Sequence, residues 1–261
     1  MRHTDKKDFI PKLLSIARAA GEAIMAIYAN DVGSVRLKHD SSPVTKADIA
    51  AHRLLVGSLG QLTPGCPVVS EEDHASLAGS RNHQRFWLVD PLDGTREFLA
   101  HNGEFTVNIS LIEHGQSALG VIYAPALDYL YWGGAEIGAF RRHGANTTTI
   151  QVTSGQAYGS VGVMASKSHL DADTQAFIDG LGAIRMIQVG SSLKFCRIAE
   201  GLADIYPRLS PTCEWDTAAG QAVLEGAGGS VVDLTGQPLH YGKTNILNPP
   251  FIATRDITLI P

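Results

Sequence analysis

Two aspartates stand three residues apart at the end of an apolar run, in the segment Phe86-Trp87-Leu88-Val89-Asp90-Pro91-Leu92-Asp93-Gly94-Thr95. Carboxylate oxygens are hard ligands of the kind that Mg²⁺ prefers. The Gly94-Thr95 pair can open a helix, and the free backbone N–H groups at a helix start can bind a phosphate. One short stretch can therefore supply both a metal site and a phosphate site, which indicates a metal-dependent phosphatase.

The two aspartates are also close enough in sequence to bridge a pair of metal ions. Two Mg²⁺ ions roughly 3.5–4 Å apart need several shared carboxylates. Pro91 fixes the turn between Asp90 and Asp93, and it can aim the Leu92 carbonyl inwards as a further oxygen ligand.

Two other acidic residues occupy comparable positions in the predicted elements. Glu71 follows a predicted strand over residues 67–70, and Asp216 opens a predicted helix over residues 215–226. Side chains at such junctions project from a fixed backbone into clefts, where functional groups often lie. We therefore expect all four carboxylates to face one cleft.

Each of these features also has a structural interpretation when it is taken alone. Thr45-Lys46-Ala47-Asp48 has the form of a helix capping box, and Asp216 can be an N-cap residue. Glu71 belongs to an acidic stretch that could simply face solvent, and Asp90 to Gly94 could be a tight turn. Only their combination favours a metal site.

Composition limits the class of protein further. The chain has 261 residues and a formal net charge of −5 at pH 7, without a long basic run, so we expect no nucleic acid polymer as a partner. Its three cysteines form no CxxC pair, which fits reduced thiols in a cytoplasmic protein. We expect no signal peptide and no transmembrane segment, while peripheral attachment to the cytoplasmic face of the inner membrane stays open.

The hydrophobic pattern predicts two lobes. Helices are expected over residues 8–29 and from the Thr45 capping box to about residue 59, followed by short alternating strands that include a hairpin of residues 105–112 with 118–123. Beyond the threonine-rich stretch 147–154, strands and helices alternate. We predict an α+β N-terminal lobe over residues 1–145 with an antiparallel sheet, an α/β C-terminal lobe over residues 146–261, and a cleft between them that holds the metals.

Several segments together resemble the inositol monophosphatase superfamily in order and spacing, over nearly the whole chain. They are Pro43-Val44-Thr45-Lys46-Ala47-Asp48, Ser70-Glu71-Glu72, Asp90-Pro91-Leu92-Asp93-Gly94-Thr95, Trp215-Asp216-Thr217-Ala218-Ala219-Gly220 and Ala227-Gly228-Gly229. Residues 93–98, 102–109 and 190–196 are similar to the CysQ-type branch, which contains 3'(2'),5'-bisphosphate nucleotidases. The resemblance implies the layered αβαβα sandwich of the sugar phosphatases, as one continuous domain.

The resemblance also implies a set of metal ligands. One Mg²⁺ would be held by Glu71, Asp90 and the Leu92 carbonyl, and a second by Asp90, Asp93 and Asp216. A third, weaker ion near Glu71 stays open, and family kinship suggests sensitivity to Li⁺. The first ion would activate a water for in-line attack on phosphorus, and the second would stabilise the leaving alkoxide.

Roles for further residues follow from the same resemblance. Thr95 and Glu71 would position or deprotonate the attacking water, with Asp48 accepting a hydrogen bond from the Thr95 hydroxyl. Backbone N–H groups of Gly94 and Thr95 would hold phosphoryl oxygens. No covalent enzyme intermediate is needed.

The nucleotidase branch implies a substrate with a second phosphate. Adenosine 3',5'-bisphosphate would lose its 3'-phosphate, in a reaction that serves sulfur assimilation. Ser191, Lys194 and Arg208 would hold the 5'-phosphate, His169 would approach the base or ribose, and Asp216 would contact the substrate as well as the metal. Glu214 departs from the glycine or proline of many inositol phosphatases, and we expect it to add negative charge near the sugar.

Two other interpretations stay open at this point. The same site could act on inositol phosphate or another sugar monophosphate. A protein of another class, a catalytically silent nucleotide sensor, could keep the pocket without turnover, although the complete set of acidic residues argues against it. The ranking of adenosine bisphosphate against its sulfated form is open, and so is the formation of a homodimer.

Overall fold

Helices and strands alternate through the parts of the chain that the computed structural model describes, which are residues 6–29, 36–37, 43–80, 83–153, 160–166 and 170–260. The α-helices are α1 (Ile10–Tyr28), α2 (Lys46–Leu62), α3 (Leu77–Ser80), α4 (Thr95–Leu99), α5 (Ala172–Asp179), α6 (Leu193–Ala199) and α7 (Glu214–Gly226). The strands are β1 (Arg36–Leu37), β2 (Pro43–Val44), β3 (Val68–Ser70), β4 (Arg85–Asp93), β5 (Thr106–Glu113), β6 (Gln116–Ala124), β7 (Tyr129–Gly134), β8 (Gly138–His143), β9 (Asn146–Ile150), β10 (Val161–Ala165), β11 (Ile184–Gln188), β12 (Ile205–Arg208), β13 (Ser230–Asp233) and β14 (Phe251–Thr254).

A seven-stranded sheet has the order β3-β4-β5-β6-β7-β8-β9. It is antiparallel except that β3 runs parallel to β4. Successive side chains of β4 point to opposite faces, so that Phe86 and Leu88 enter one core cluster while Trp87 and Val89 enter another. The strand continues beyond the predicted residues 86–89 as far as Asp93, and its register with β5 shifts after Asp90.

A five-stranded sheet has the order β11-β10-β12-β14-β13. Strands β11, β10 and β12 are parallel, whereas β14 runs antiparallel to both of its neighbours. Strand β14 was not predicted from the sequence. The strand predicted over residues 203–206 lies at Ile205–Arg208, so Arg208 ends the strand instead of following it.

The helices and sheets stack in five layers. The first core cluster lies between one face of the seven-stranded sheet and the helices α1 and α2. The second cluster joins the other face of that sheet to α6, α7 and the five-stranded sheet, and the third joins the far face of the five-stranded sheet to α5. This arrangement confirms the predicted layered αβαβα sandwich, which combines an α+β part with an α/β part.

The C-terminal half of the chain contributes a strand to the seven-stranded sheet and a helix that packs on it, across the predicted boundary at residue 145. Strand β9, which begins at Asn146, pairs with β8 and so extends the seven-stranded sheet to Ile150. Helix α7 comes from the C-terminal half of the chain but packs on strands of the seven-stranded sheet, above all on β6. Gly120 of β6 permits this contact, because a Cβ atom there would overlap the Ala219 carbonyl oxygen.

Substitution of Gly120 should therefore reveal the tight packing of α7 on the sheet. Gly120→Ala should lower the free energy of unfolding by about 1–3 kcal/mol, because the main chain of α7 would have to move. Gly57→Ala is the control, since Gly57 is exposed within α2 and a Cβ there meets nothing within 4 Å. It should raise the free energy of unfolding by roughly 0.5–1 kcal/mol. Urea denaturation of both variants measures this, and equal effects would contradict the packing argument.

Candidate active site

Asp48 caps the start of α2 and faces Thr95. Its Oδ2 atom accepts hydrogen bonds from the backbone N–H of Thr45 at 2.8 Å and from the Thr45 hydroxyl at 2.6 Å, as the predicted capping box requires. Its Oδ1 atom lies 3.4 Å from the Thr95 hydroxyl. Burial raises the pKa of Asp48, and the Thr45 donors counteract that rise. Both interpretations of this segment therefore apply, because one oxygen caps the helix and the other reaches Thr95.

The end of β4 presents the first aspartate of the cluster. Asp90 is fully buried, and its Oδ1 atom accepts a hydrogen bond from the backbone N–H of Leu92 at 3.0 Å. The Leu92 carbonyl oxygen lies 3.4 Å from the Thr95 hydroxyl. Glu71 follows β3, where its N–H donates to the Val89 carbonyl, and its carboxyl group forms a hydrogen bond with Asp90. Parallel pairing of β3 with β4 thus brings Glu71 and Asp90 together.

Asp93 is held by a part of the chain that is distant in sequence. Its Oδ2 atom accepts hydrogen bonds from the backbone N–H and the hydroxyl of Ser192, each at 2.6 Å, and from Asn108 Nδ2 at 3.2 Å. The Oδ1 atom of Asn108 is buried and has no hydrogen-bond partner, which costs about 1–3 kcal/mol. A flipped amide would place that oxygen against the Asp93 carboxylate, so the orientation with the unpaired oxygen is favoured.

Asp216 approaches from α7. Its Oδ2 atom accepts a hydrogen bond from the Cys213 N–H at 2.7 Å, which caps the first turn of the helix. Ligand oxygens of Asp90, Asp93 and Asp216 all lie within 4.8 Å of one another. Each of these aspartates, like Asp48, accepts a hydrogen bond from a backbone N–H with one of its carboxylate oxygens.

Burial and the neighbouring carboxylates raise the pKa values of Asp90 and Asp216. Burial is the largest cause for Asp90, whose pKa rises well above its ordinary value, and the charges of Glu71, Asp93 and Asp216 add to it. Burial and the charges of Asp93 and Glu71 raise the pKa of Asp216 to about 8. Such repulsion is relieved by a divalent cation, and an all-oxygen donor set fits Mg²⁺. The residues present therefore fit a magnesium site.

One cavity of about 360 Å³ borders this cluster, a size that suits a small ligand. Most of the predicted site residues line it: Glu71, Asp93, Gly94, Thr95, Ser191, Lys194, Arg208 and Asp216. Asp48, Asp90 and Leu92 lie behind its wall and are buried. His169 lies outside the described residues.

Basic residues also line the cavity. Lys194 is buried, and its ammonium group donates to the Ser191 carbonyl at 2.6 Å. Burial lowers its pKa to about 8, against the pull of the Asp93 charge. Arg208 is also buried, and it donates to the carbonyls of Ser210 and Pro211 at 3.3 and 3.4 Å. The same cavity is therefore lined by both acidic and basic residues.

The backbone around the cavity has two unusual features. Helix α4 has only five residues, so its dipole contributes little, and Gly94 enters it with φ +90°. Helix α6 begins at Leu193, and Ser191 adopts φ +49° before the helix. A non-glycine residue in this conformation is strained, and such strain is often found at functional sites.

The expectation that Glu214 adds negative charge near the sugar is wrong. Its buried carboxylate accepts hydrogen bonds from the backbone N–H groups of Gly242 and Lys243 at 2.7 and 3.0 Å, and it forms an ion pair with Lys243 Nζ at 2.7 Å. The charge of Glu214 is neutralised by that loop. The residue anchors the start of α7.

Sequence reasoning missed Ser192 and Asn108. Both lie in segments that carried the family resemblance, residues 190–196 and 102–109, but neither segment shows by itself that the two side chains meet at Asp93. The available signal was the asparagine between Val107 and Ile109 in a predicted strand, since buried polar groups need partners.

A layered sandwich with clustered aspartates at a cleft between its halves defines a metal-dependent phosphatase of the sugar-phosphatase class. The chain belongs to the inositol monophosphatase family, whose model matches residues 5–258. This finding confirms the resemblance seen in the sequence. Members of the family are metal-dependent phosphatases that typically use Mg²⁺.

Individual relatives point to the CysQ-type branch. The chain is 46% identical over 244 residues to the 3'(2'),5'-bisphosphate nucleotidase CysQ of Escherichia coli K12, covering 93% of this chain and 98% of that protein. The crystal structure of CysQ from Bacteroides thetaiotaomicron is similar with a TM-score of 0.82 and 39% identity, covering 92% of this chain and 95% of that one. SuhB from Bartonella henselae gives a TM-score of 0.79 at 25% identity, covering 97% and 96%. Among the described residues, no helix combines the length and the apolar character needed to cross a bilayer.

Stability should depend on pH through Asp216 and on Mg²⁺ through the same carboxylate. Its pKa rises from 3.8 to about 8 on folding without metal, so the folded state binds more protons than the unfolded state between these values. The free energy of unfolding therefore falls as pH rises through that window. Because Mg²⁺ needs ionised ligands, it should raise Tm more at about pH 8 than at about pH 5.

Thermal unfolding with and without Mg²⁺ at both pH values measures this effect. Asp216→Asn should lose most of the pH dependence of the Mg²⁺-induced rise in Tm. Asp173→Asn, on the exposed side of α5, should keep it. A Mg²⁺-induced rise of the same size at both pH values in the unaltered protein would contradict the assignment of Asp216.

Proposed function

We propose that this chain is a Mg²⁺-dependent 3'(2'),5'-bisphosphate nucleotidase that hydrolyses adenosine 3',5'-bisphosphate to AMP and phosphate. The observation that carries the proposal is a single cavity lined both by the acidic residues Asp93 and Asp216 and by the basic residues Lys194 and Arg208. Relatives named as nucleotidases at 46% identity over 93% of the chain support the substrate. The sulfated form of the same nucleotide would fit the same cavity.

The carboxylate cluster provides the reacting end of the cavity. Glu71, Asp90, Asp93, Asp216 and the Leu92 carbonyl would hold the Mg²⁺ ions, as two ions with a third left open. The chemistry supplied by bound Mg²⁺ is a lowered pKa for a water and charge neutralisation between water, phosphate and leaving group. The 3'-phosphate would then lie next to the carboxylate cluster, where its negative charge offsets the positive charge of the Mg²⁺ ions.

Thr95 and Asp48 orient the attacking water. The Thr95 hydroxyl has the Asp48 carboxylate and the Leu92 carbonyl as candidate acceptors, each at 3.4 Å. Its single proton points towards one of them, so its lone pairs can accept from a water. Glu71 lines the same cavity and is the base that takes the proton of that water. Asp48 acts through Thr95 and is a positioning residue. Gly94 and Thr95 would bind phosphoryl oxygens through their N–H groups.

The basic residues that line the cavity, Lys194 and Arg208, would bind the second phosphate. Lys194 and Arg208 donate hydrogen bonds to main-chain carbonyls at 2.6–3.4 Å. A phosphate is a stronger acceptor than a carbonyl because it is charged, so it would take over these donors. Ser191 is the neighbouring hydroxyl, and His169 would lie near the base or ribose. Binding an anion would also favour the charged form of Lys194, whose pKa is about 8. A homodimer and a cytoplasmic location stay predictions.

The two cations distinguish a nucleoside bisphosphate from a monophosphate substrate. Lys194→Met and Arg208→Met should each lower kcat/KM for adenosine 3',5'-bisphosphate roughly 10- to 100-fold, because each removes a charge-assisted hydrogen bond. Hydrolysis of adenosine 3'-monophosphate and of inositol phosphate, measured by phosphate release, should change little. If all three substrates lose activity equally, a sugar monophosphatase is the better description.

Turnover itself separates an enzyme from a silent nucleotide sensor. Asp93→Asn should reduce kcat by at least roughly 100-fold at saturating Mg²⁺, since a shared metal ligand is lost, while the circular dichroism spectrum stays unchanged. Asp173→Asn serves again as the control and should retain full activity. Near-full activity of Asp93→Asn would refute the metal assignment, and no phosphate release by the unaltered protein with any divalent metal would favour the sensor.

A further inference from the structure

Ser192 lies where the two parts of the carboxylate cluster meet. Its N–H and its hydroxyl both lie 2.6 Å from Asp93 Oδ2, and the hydroxyl also lies 2.9 Å from the main-chain carbonyl oxygen of Asp216. Asp93 ends β4 of the seven-stranded sheet, whereas Asp216 lies in the first turn of α7. One buried residue therefore connects two aspartates that come from separate parts of the fold.

The hydroxyl of Ser192 is not explained by its place before α6. A serine at an N-cap usually has an extended backbone and accepts a hydrogen bond from the first turn of its own helix. Ser192 instead has φ −68° and ψ −3°, and its side chain makes no capping hydrogen bond. Its hydroxyl is directed at Asp93 and at the backbone of Asp216.

We propose that Ser192 is a positioning residue that sets the spacing of Asp93 and Asp216 and thereby the affinity of the cation site that they share. The proposal rests on the metal-dependent function proposed above. It gives Ser192 a role separate from that of its neighbour Ser191, for which the proposed function assigns contact with the second phosphate.

The hydrogen bonds at Asp93 leave one oxygen for a cation. A carboxylate oxygen has two lone pairs, and Asp93 Oδ2 already has three donors within 3.2 Å, two from Ser192 and one from Asn108. Asp93 Oδ1 is therefore the atom that can bind the metal. Loss of the Ser192 hydroxyl would release the carboxylate to rotate and would weaken this orientation.

Asn108 sets the direction of the hydroxyl proton. Asn108 Nδ2 lies 2.8 Å from Ser192 Oγ and donates to it, so the hydroxyl accepts there and has a single proton to give. Between the charged Asp93 oxygen at 2.6 Å and the neutral Asp216 carbonyl at 2.9 Å, the charged acceptor forms the stronger bond. The Asp216 carbonyl is the weaker, second acceptor of the same hydroxyl.

Calorimetric titration of the full chain with Mg²⁺, without substrate, tests the proposal. Ser192→Ala should weaken Mg²⁺ binding roughly 10- to 100-fold, the range that is usual when a residue supporting a metal ligand is lost. Ser192→Cys keeps the volume of the side chain but replaces the hydroxyl with a weak donor, and it should weaken binding in the same direction. The rise of Tm caused by Mg²⁺ should shrink in both variants.

Ser117→Ala is the matched control. Ser117 is a buried serine on β6 that donates to the main-chain carbonyl of Ala218 in α7 at 2.6 Å, but it does not contact the carboxylate cluster. It should leave Mg²⁺ affinity unchanged. Unaltered affinity in the Ser192 variants, or an equal loss in Ser117→Ala, would overturn the positioning role alone. If the unaltered protein binds no Mg²⁺, the metal-dependent function fails and the proposal fails with it.

Discussion

Mutual repulsion of carboxylates is the constraint on which this active site depends. Oxygens of Asp90, Asp93 and Asp216 lie within 4.8 Å, where two full charges repel each other by roughly 3–4 kcal/mol at an effective dielectric constant of about 20. The fold opposes this repulsion with a backbone N–H donor to one oxygen of each aspartate. The same arrangement raises the pKa values of Asp90 and Asp216, and a divalent cation would relieve the remaining repulsion.

Such an arrangement requires rigid elements from separate parts of the chain. Helix α7 is packed between the two sheets, and the absence of a side chain at Gly120 lets it approach β6 closely. Its first turn therefore carries Asp216 to a fixed place beside the end of β4. Ser192 then joins these two elements directly, which makes the metal site a product of the contact between the halves of the sandwich.

The mixed charge of the cavity lining connects this site to the proposed substrate. Mg²⁺ at the carboxylates would bind one phosphate of the nucleotide, and Lys194 with Arg208, which line the same cavity, would bind the other. A monophosphate would leave these buried cations without an anion. Glu214 forms an ion pair with Lys243, so its charge does not oppose phosphate binding.

The sequence by itself determined the capping box at Thr45 and the motifs that place the chain in its family, because these depend on local spacing that is read along the chain. The layered fold and the candidate metal ligands followed from the resemblance that these motifs carry. The tertiary structure alone decided the strands β9 and β14, the burial of Glu214 and the hydrogen bonds from Ser192 and Asn108 to Asp93. Ser192 and Asp93 are 99 residues apart, and only the packing of both sheets on α6 and α7 brings them together. A contact between such distant residues is set by the order of strands and the thickness of layers, which no local pattern contains.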